Sequence, residues 1–240
     1  MSFNTTDMVL GREFEFTSDD FNFLREIVTG RTGIVVADEK EDMFYSRLAR
    51  KVRKLGLNSF KQYCDLIRND RGGAETASLV NAITTNLTSF FRENHHFQYL
   101  LETALPELVK NSAGSRRLRI WSAGCSTGEE PYSIAVTLCE AGLQAKGWDI
   151  QVAATDVNSE VLAQATEGVY SVERVEGIGV QRLQRWFLKG KGLQDGKMRV
   201  KPEVSRMIKF AELNLVSTWS LPEPVDIIFC RNVIIYFDSE

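Results

Sequence analysis

Two histidines, five prolines and four cysteines are all that this 240-residue chain contains of those residue types. Cys64, Cys125, Cys139 and Cys230 are far apart and form no CxxC pair. Zinc or iron–sulfur ligation is therefore not expected, and reduced cytosolic thiols are. No apolar run nears the roughly 20 residues needed to span a bilayer. The first twenty residues carry acids and no apolar core, so no signal peptide is read. These absences predict a cytoplasmic protein. An excess of positive charge is also missing: the net charge of −3 argues against binding nucleic acid through the overall field. There is no GxxxxGK[ST] stretch, which excludes the usual phosphate loop. What remains is ordinary for a globular protein, 43% hydrophobic and 25% charged, with length enough for a substantial core.

The first part of the chain reads as helical. In "TSDDFNFLREIVTG", Ser18 or Asp19 is the expected N-cap and Gly30 the stop. "DEKEDMFYSRLARKVRKLG" has acids first and bases last, as a helix macrodipole favours, with Leu48, Val52 and Leu55 on one face. "NSFKQYCDLI" and "ETASLVNAIT" read as two shorter helices. A helical unit is thus predicted over residues 1–85, and a second domain over 86–240. In the second, strand patterns at "RLRIWSAG", "DIQVAATDV", "MIKFAELNL" and "VDIIFCRNVIIYF" alternate with helices "EEPYSIAVTLCEAG" and "SEVLAQATEG". Such alternation implies a parallel sheet. "RWFLKGKGLQDGKMRVK" breaks it and reads as a β-hairpin, inside an insertion over about 170–205.

The strongest local signal is "IWSAGCSTGEEPYSIA". Gly124 and Gly128 fall where a strand turns into a helix and let the backbone approach a nucleotide. Asp156 ends the next strand, where a carboxylate can accept ribose hydroxyls. The spacing departs from GxGxxG, which weakens a nicotinamide cofactor. Glu129 and Glu130 repel a diphosphate but suit a cationic ligand such as the sulfonium or amino group of S-adenosylmethionine. On these residues alone, simple helix capping by the two acids is an equal reading. Asn232 lies at the carboxyl end of the fourth strand, where such sheets bind ligands. Tyr236 follows, a buried core aromatic being its commoner fate.

"TTNLTSFFRENHHF" sets an arginine among aromatics and paired histidines. His95 and His96, adjacent on a helix, point about 100° apart and do not easily share one ion. No metal is expected. Arg47, Arg50, Lys51 and Lys54 form a helical stripe with no acid between Asp42 and Asp65. A solvated face is the plain reading, and attraction of an acidic partner the functional one.

Taken together, "TTNLTSFFRENHHF", "WSAGCSTGEEPYSIA", "ATDVNSEVLAQATEGVY" and "IIFCRNVIIYFD" resemble the CheR family, the chemoreceptor glutamate O-methyltransferases of bacterial chemotaxis. The resemblance covers nearly the whole chain, in the family's order. It implies an α/β, Rossmann-like methyltransferase domain with an inserted antiparallel β-subdomain, preceded by a small all-α domain. It implies methyl transfer from S-adenosylmethionine, giving S-adenosylhomocysteine, to glutamates on a receptor's cytoplasmic helices. The family's cofactor contacts carry over onto Asn86, Thr88, Arg92, Glu130, Asp156, Asn214, Leu215, Arg231 and Asn232, beside the Gly124 read above. Its catalytic pair carries over onto Arg92 and Tyr236. The basic stripe acquires a receptor-facing role, and the hairpin resembles a subdomain that in some members docks a receptor's C-terminal peptide. The family continues past "YFDSE", so C-terminal strands are expected to be missing, leaving the apolar fourth strand as an exposed edge. That departure keeps a non-catalytic module, binding S-adenosylmethionine or a receptor peptide, as the alternative.

Overall fold

The computed structural model describes residues 12–84, 86–111 and 114–237. The predicted helical unit begins and ends on residues outside these (1–11 and 85), and so does the end of the second domain (238–240). Two compact units result, one within Met1–Thr84 and one within Thr85–Phe237.

The first unit is helical. Helix α1 spans Ser18–Thr32. Its cap is Thr17, not Ser18 or Asp19: the Thr17 hydroxyl accepts from the Asp20 N–H while the Asp20 carboxylate accepts from the Thr17 N–H. Nor does Gly30 end it. The helix runs on until Gly33 takes the left-handed conformation (φ 72°) and closes it. Helices α2 (Glu41–Lys54), α3 (Phe60–Arg68) and α4 (Ala74–Ile83) follow. Leu24, Val28, Phe44, Leu48, Val52, Phe60, Tyr63 and Leu79 are wholly buried at its centre. Leu55, predicted to share that face, lies past the end of α2 and is 42% exposed.

In the second unit α5 (His95–Tyr99) continues through a π-helical turn, Leu100–Ala104, into α6 (Leu105–Asn111). The sheet strands are β1 (Arg117–Ala123) and β2 (Asp149–Asp156), with α7 (Glu129–Glu140) between them and α8 (Ser159–Glu167) after β2. An inserted segment holds β3 (Val169–Ser171), α9 (Val172–Val175), α10 (Val180–Trp186), β4 (Phe187–Lys189) and β5 (Lys197–Val200), and α11 (Pro202–Ser205) follows. The main sheet is completed by β6 (Ile208–Glu212) and β7 (Ile227–Phe229).

The main sheet is parallel, in the order β6-β2-β1-β7. Nearly all of β1 is buried, as expected of a strand covered on both faces. The chain steps from β1 to β2 to β6 and then crosses back to place β7 on the other side of β1. This reversal makes a crevice at the carboxyl ends of β1 and β7, the usual ligand position in such folds.

The insertion is a three-stranded antiparallel sheet, β3-β5-β4. The predicted hairpin is β4–β5. Strand β3 was not predicted, because three residues after the left-handed Gly168 are too few to show alternation. The fourth main strand is also shorter than the apolar run implied. Only Ile227–Phe229 pairs with β1, and the chain then turns into a single 3-10 turn, Ile234–Tyr236. Cys230 and Arg231 have already left the ladder when Asn232 turns the chain, its φ of 56° lying outside the strand region. Ile228, Ile234 and Ile235 are each more than half exposed.

Candidate functional site

Loops from β1, β2, β6 and β7 converge at the crevice. Gly124, just after β1, has φ 76° and donates its N–H to the Thr155 carbonyl at 2.8 Å. A Cβ there would collide with the Val233 side chain from the loop after β7. Gly128 has φ 95°, and a Cβ would press on the Tyr170 hydroxyl and Ala165. Both glycines are thus required by backbone twist and by space.

Glu130 opens α7 and is the crevice's acidic group. Its carboxylate accepts from the Ser122 hydroxyl at 2.8 Å and from Arg231 Nη1 at 3.1 Å. Burial pushes its carboxyl up to about 6, against the pull of Ser122, Arg231 and Arg92. Arg231 also donates to the Arg92 carbonyl at 2.6 Å and to Glu93 at 3.1 Å. Its Nε is buried without a partner, an open donor for a ligand acceptor. At the end of β2, the Asp156 carboxylate accepts the Ser126 N–H at 2.8 Å and the Asn158 N–H at 2.9 Å, one on each oxygen. Burial raises its pKa in spite of these bonds. Each oxygen keeps lone-pair capacity for a hydroxyl.

Glu129 does not share the role predicted for the acidic pair. It is wholly buried and bonds to Arg174 of α9 and to the Thr127 hydroxyl. Successive helical residues point about 100° apart, so one acid faces the crevice and the other the insertion.

The "NLTSFFRE" segment reaches the same place. Asn86 accepts from the Ser126 hydroxyl through its carbonyl at 3.0 Å, and Asn86 and Thr88 are half-buried. Arg92 Nη1 donates to the Leu87 carbonyl at 3.0 Å. After β6, the Leu213 N–H bonds the Asp156 carbonyl at 3.0 Å, which brings Asn214 and Leu215 beside the end of β2. The Arg231 hydrogen bond and charge, helped by a hydrogen bond from Asn232, hold the Glu93 carboxylate below its usual range. Tyr236 is 36% exposed, not a core aromatic, and no hydrogen bond joins it to Arg92 among the described residues.

Two residues that sequence reasoning missed belong here. Ser126 and Glu93 adopt left-handed backbone (φ 49° and 55°), as do Phe91 (53°) and Asn232 (56°). Left-handed non-glycine residues gather at sites where the surroundings enforce them. Ser126 aligns Asp156 with the Asn86 segment, and Glu93 holds Arg231. No periodicity marks either residue. The two histidine rings lie against each other at a tilt of 44°, centroids 4.1 Å apart. Burial, Arg231 and His95 hold the His96 imidazole below its usual range. No group of His, Cys, Asp and Glu is placed to hold a metal ion among the described residues.

The basic stripe of α2 divides. Arg47 donates to the carbonyls of Ile83 and Thr84 at the end of α4, and Lys51 pairs with Glu75 at 2.8 Å and with Ser78. These two predicted substrate contacts are thus taken up within the helical unit. Arg50 and Lys54 are exposed. No helix among the described residues is long and apolar enough to cross a membrane.

Glu130, the Arg231 guanidinium and the Asp156 carboxylate, gathered at one crevice, fit an adenosine ligand with a charged amino-acid head. Comparison with known proteins agrees. Residues 86–240 match the model described as CheR methyltransferase, SAM binding domain, and residues 19–84 match CheR methyltransferase, all-alpha domain. Chemotaxis protein methyltransferase 2 of Pseudomonas aeruginosa is 45% identical over 241 residues, covering 100% of this chain and 84% of that protein. The chemotaxis protein methyltransferases of Salmonella typhimurium and Escherichia coli are each 42% identical over 238 residues, covering 98% of this chain and 80% of theirs. The chain belongs to the CheR methyltransferase family, and its methyl donor is S-adenosylmethionine.

Proposed function

We propose that this methyltransferase esterifies glutamate side chains on the cytoplasmic helices of chemoreceptors. The observation that carries the reading is the crevice at the β1–β7 reversal, with Glu130, Arg231 and Asp156 around it, in a chain whose relatives are named chemotaxis protein methyltransferases.

S-adenosylmethionine supplies a methyl group on a positively charged sulfur. Glu130 holds the cationic amino group, the free Nε of Arg231 the carboxylate, and Asp156 the ribose hydroxyls. Asn86, Thr88, Asn214, Leu215 and Asn232 line the remainder, and Gly124 lets the backbone come close. A glutamate is ionised at neutral pH, its free pKa being about 4.3, so no base has to be recruited. Bound there, S-adenosylmethionine would give its methyl group to a carboxylate oxygen, and the electron pair of the broken carbon–sulfur bond would stay on sulfur. No proton moves. The protein's task is in-line placement in a dry site, which can lower a barrier by roughly 7–11 kcal/mol at best. Arg92, itself one of the cofactor contacts, orients the carboxylate through its planar donor fork, and Tyr236 donates one more hydrogen bond.

Receptor methylation helices are rich in glutamate. Arg50 and Lys54, exposed on α2, attract them, whereas Arg47 and Lys51 brace the helical unit. The β-subdomain presents an open groove edged by Lys189, Lys191, Lys197 and Arg199. A receptor C-terminal peptide docks there by strand addition to β4.

Incubation with labelled S-adenosylmethionine and receptor cytoplasmic fragments tests the reading. Base-labile label on the receptor, as a glutamate methyl ester releases, is expected. Base-stable label, or none, would exclude it.

A further inference from the structure

The inserted β-subdomain grips the Arg92 loop in two places. Phe90 meets Tyr170 of β3 and Phe187 of β4 edge-on, at 4.9 and 5.5 Å between ring centroids. Phe91 lies against the Arg182 guanidinium, whose carbon is 4.2 Å from the ring centroid. Arg182, on α10, is itself held. Its Nε and Nη2 donate to the two carboxylate oxygens of Glu140 on α7, both at 2.9 Å. A bidentate pair leaves a guanidinium little freedom to turn.

What this grip secures is a strained turn. Phe91 and Glu93 both have left-handed backbone, and Arg92 lies between them. The Phe91 N–H donates to the Ser133 hydroxyl of α7 at 2.9 Å. Each left-handed bulky residue costs on the order of 1–3 kcal/mol and persists only where its surroundings over-determine it. On the Glu93 side, Arg231 holds the Arg92 carbonyl and the Glu93 carboxylate. On the Phe91 side there is the one hydrogen bond to Ser133, and a ring pinned beneath a clamped cation, next to a ring held by two aromatic edges, adds the remaining constraint.

We propose that Arg182 is a positioning residue for Arg92. By stacking on Phe91 while fixed by Glu140, it holds the turn that aims Arg92, so the insertion is part of the methyl-transfer machinery as well as a docking module. The inference rests on the reading of Arg92 given under Proposed function.

A double-mutant cycle decides it. Arg182→Ala is expected to lower kcat/KM for receptor methylation at least about tenfold, since a displacement near 1 Å can cost about a hundredfold. In an Arg92→Ala background the same change should alter the rate by less than about twofold, because a residue acting through another is silent once that other is gone. Calorimetric titration of S-adenosylmethionine, without receptor, should show the same non-additivity. Arg182→Lys keeps a cation over the ring and should recover part of the loss. Where Arg182→Ala lowers the melting temperature too far for assay, Phe91→Leu, which removes the ring face and keeps the bulk, takes its place in the cycle. Equal losses in both backgrounds would overturn the inference alone. A fully active Arg92→Ala protein would overturn it together with the assignment of Arg92. An unaltered protein that fails to methylate receptor would overturn the proposed function, while the cycle on cofactor affinity still decides the coupling.

Discussion

Arg231 donates to the Glu130 carboxylate at 3.1 Å, joining residues 101 positions apart. One stands at the start of α7, the other in the loop after β7. The strand crossover brings both to the same crevice, and the ion pair closes its floor. Because Arg231 also holds the Arg92 carbonyl and Glu93, this pair links Glu130 to the loop that carries Arg92.

Cofactor affinity should depend on pH through Glu130. Burial raises its carboxyl to about 6, so near that pH the free protein is half protonated. A cationic amino group binds the ionised form. Affinity is therefore level above about pH 7 and falls as pH drops through 6, by up to about tenfold per unit. Isothermal titration between pH 5 and 8 measures the slope. Glu130→Gln should bind more weakly at pH 7.5 and lose the dependence; a slope that survives the substitution assigns the titration to another group.

Arg92→Ala should lower receptor methylation by about ten- to a hundredfold, the loss expected on removing a charge-assisted hydrogen bond of about 1.5–3 kcal/mol. Tyr236→Phe should lose up to about tenfold, mainly in kcat, because a single neutral donor is removed. Steady-state kinetics against receptor fragments checks both. An unchanged rate in Arg92→Ala removes that residue from the reaction.

Arg50→Glu with Lys54→Glu should raise the KM for receptor several-fold, and more at low ionic strength, where exposed charges are least screened. S-adenosylmethionine should bind the variant as before. The contrasting change is Arg47→Ala, which strips a donor from the carbonyls ending α4 and should lower the melting temperature. Equal loss of receptor and cofactor affinity in the charge reversal would mark a damaged fold instead of a lost attraction.

Gly124→Ala should destabilise the protein and weaken cofactor binding together. The new Cβ meets the Val233 side chain in a conformation that L residues avoid. Adding Val233→Ala relieves the clash and leaves the φ penalty, so the double variant should regain part of the melting temperature. A Gly124→Ala protein as stable as its parent would contradict the close approach of the two loops.

Much of the architecture was legible in the chain because it is written in local chemistry. The change near residue 116, from helices with one buried stripe to short apolar strands between helices, reflects burial on one face giving way to burial on both. Glycines, acids and the strand-end aspartate have positional meaning in any β-turn-α unit, so Gly124, Gly128 and Asp156 could be picked out by type and spacing, while only the family resemblance set Glu130 apart from Glu129. Cap positions and short strands were less legible: Thr17 instead of Ser18, and β3 with three residues, differ from their neighbours by one hydrogen bond or one backbone angle.

Tertiary structure decided the division of labour among like residues. Glu129 and Glu130 are adjacent in sequence, yet one is buried against Arg174 and the other faces the crevice, because a helix turns about 100° per residue. Arg47 and Lys51 share a stripe with Arg50 and Lys54, yet α4 lies within reach of only the first two. The left-handed turns at Phe91, Glu93 and Ser126 have no local cause, unlike that at Asn232, a residue type that tolerates this conformation. They exist because packing from distant parts of the chain outweighs the backbone's own preference. The sequence by itself determined the family, the order of elements and the kind of ligand. Which side chains are free to meet that ligand was settled by long-range contacts, whose energies no local pattern records.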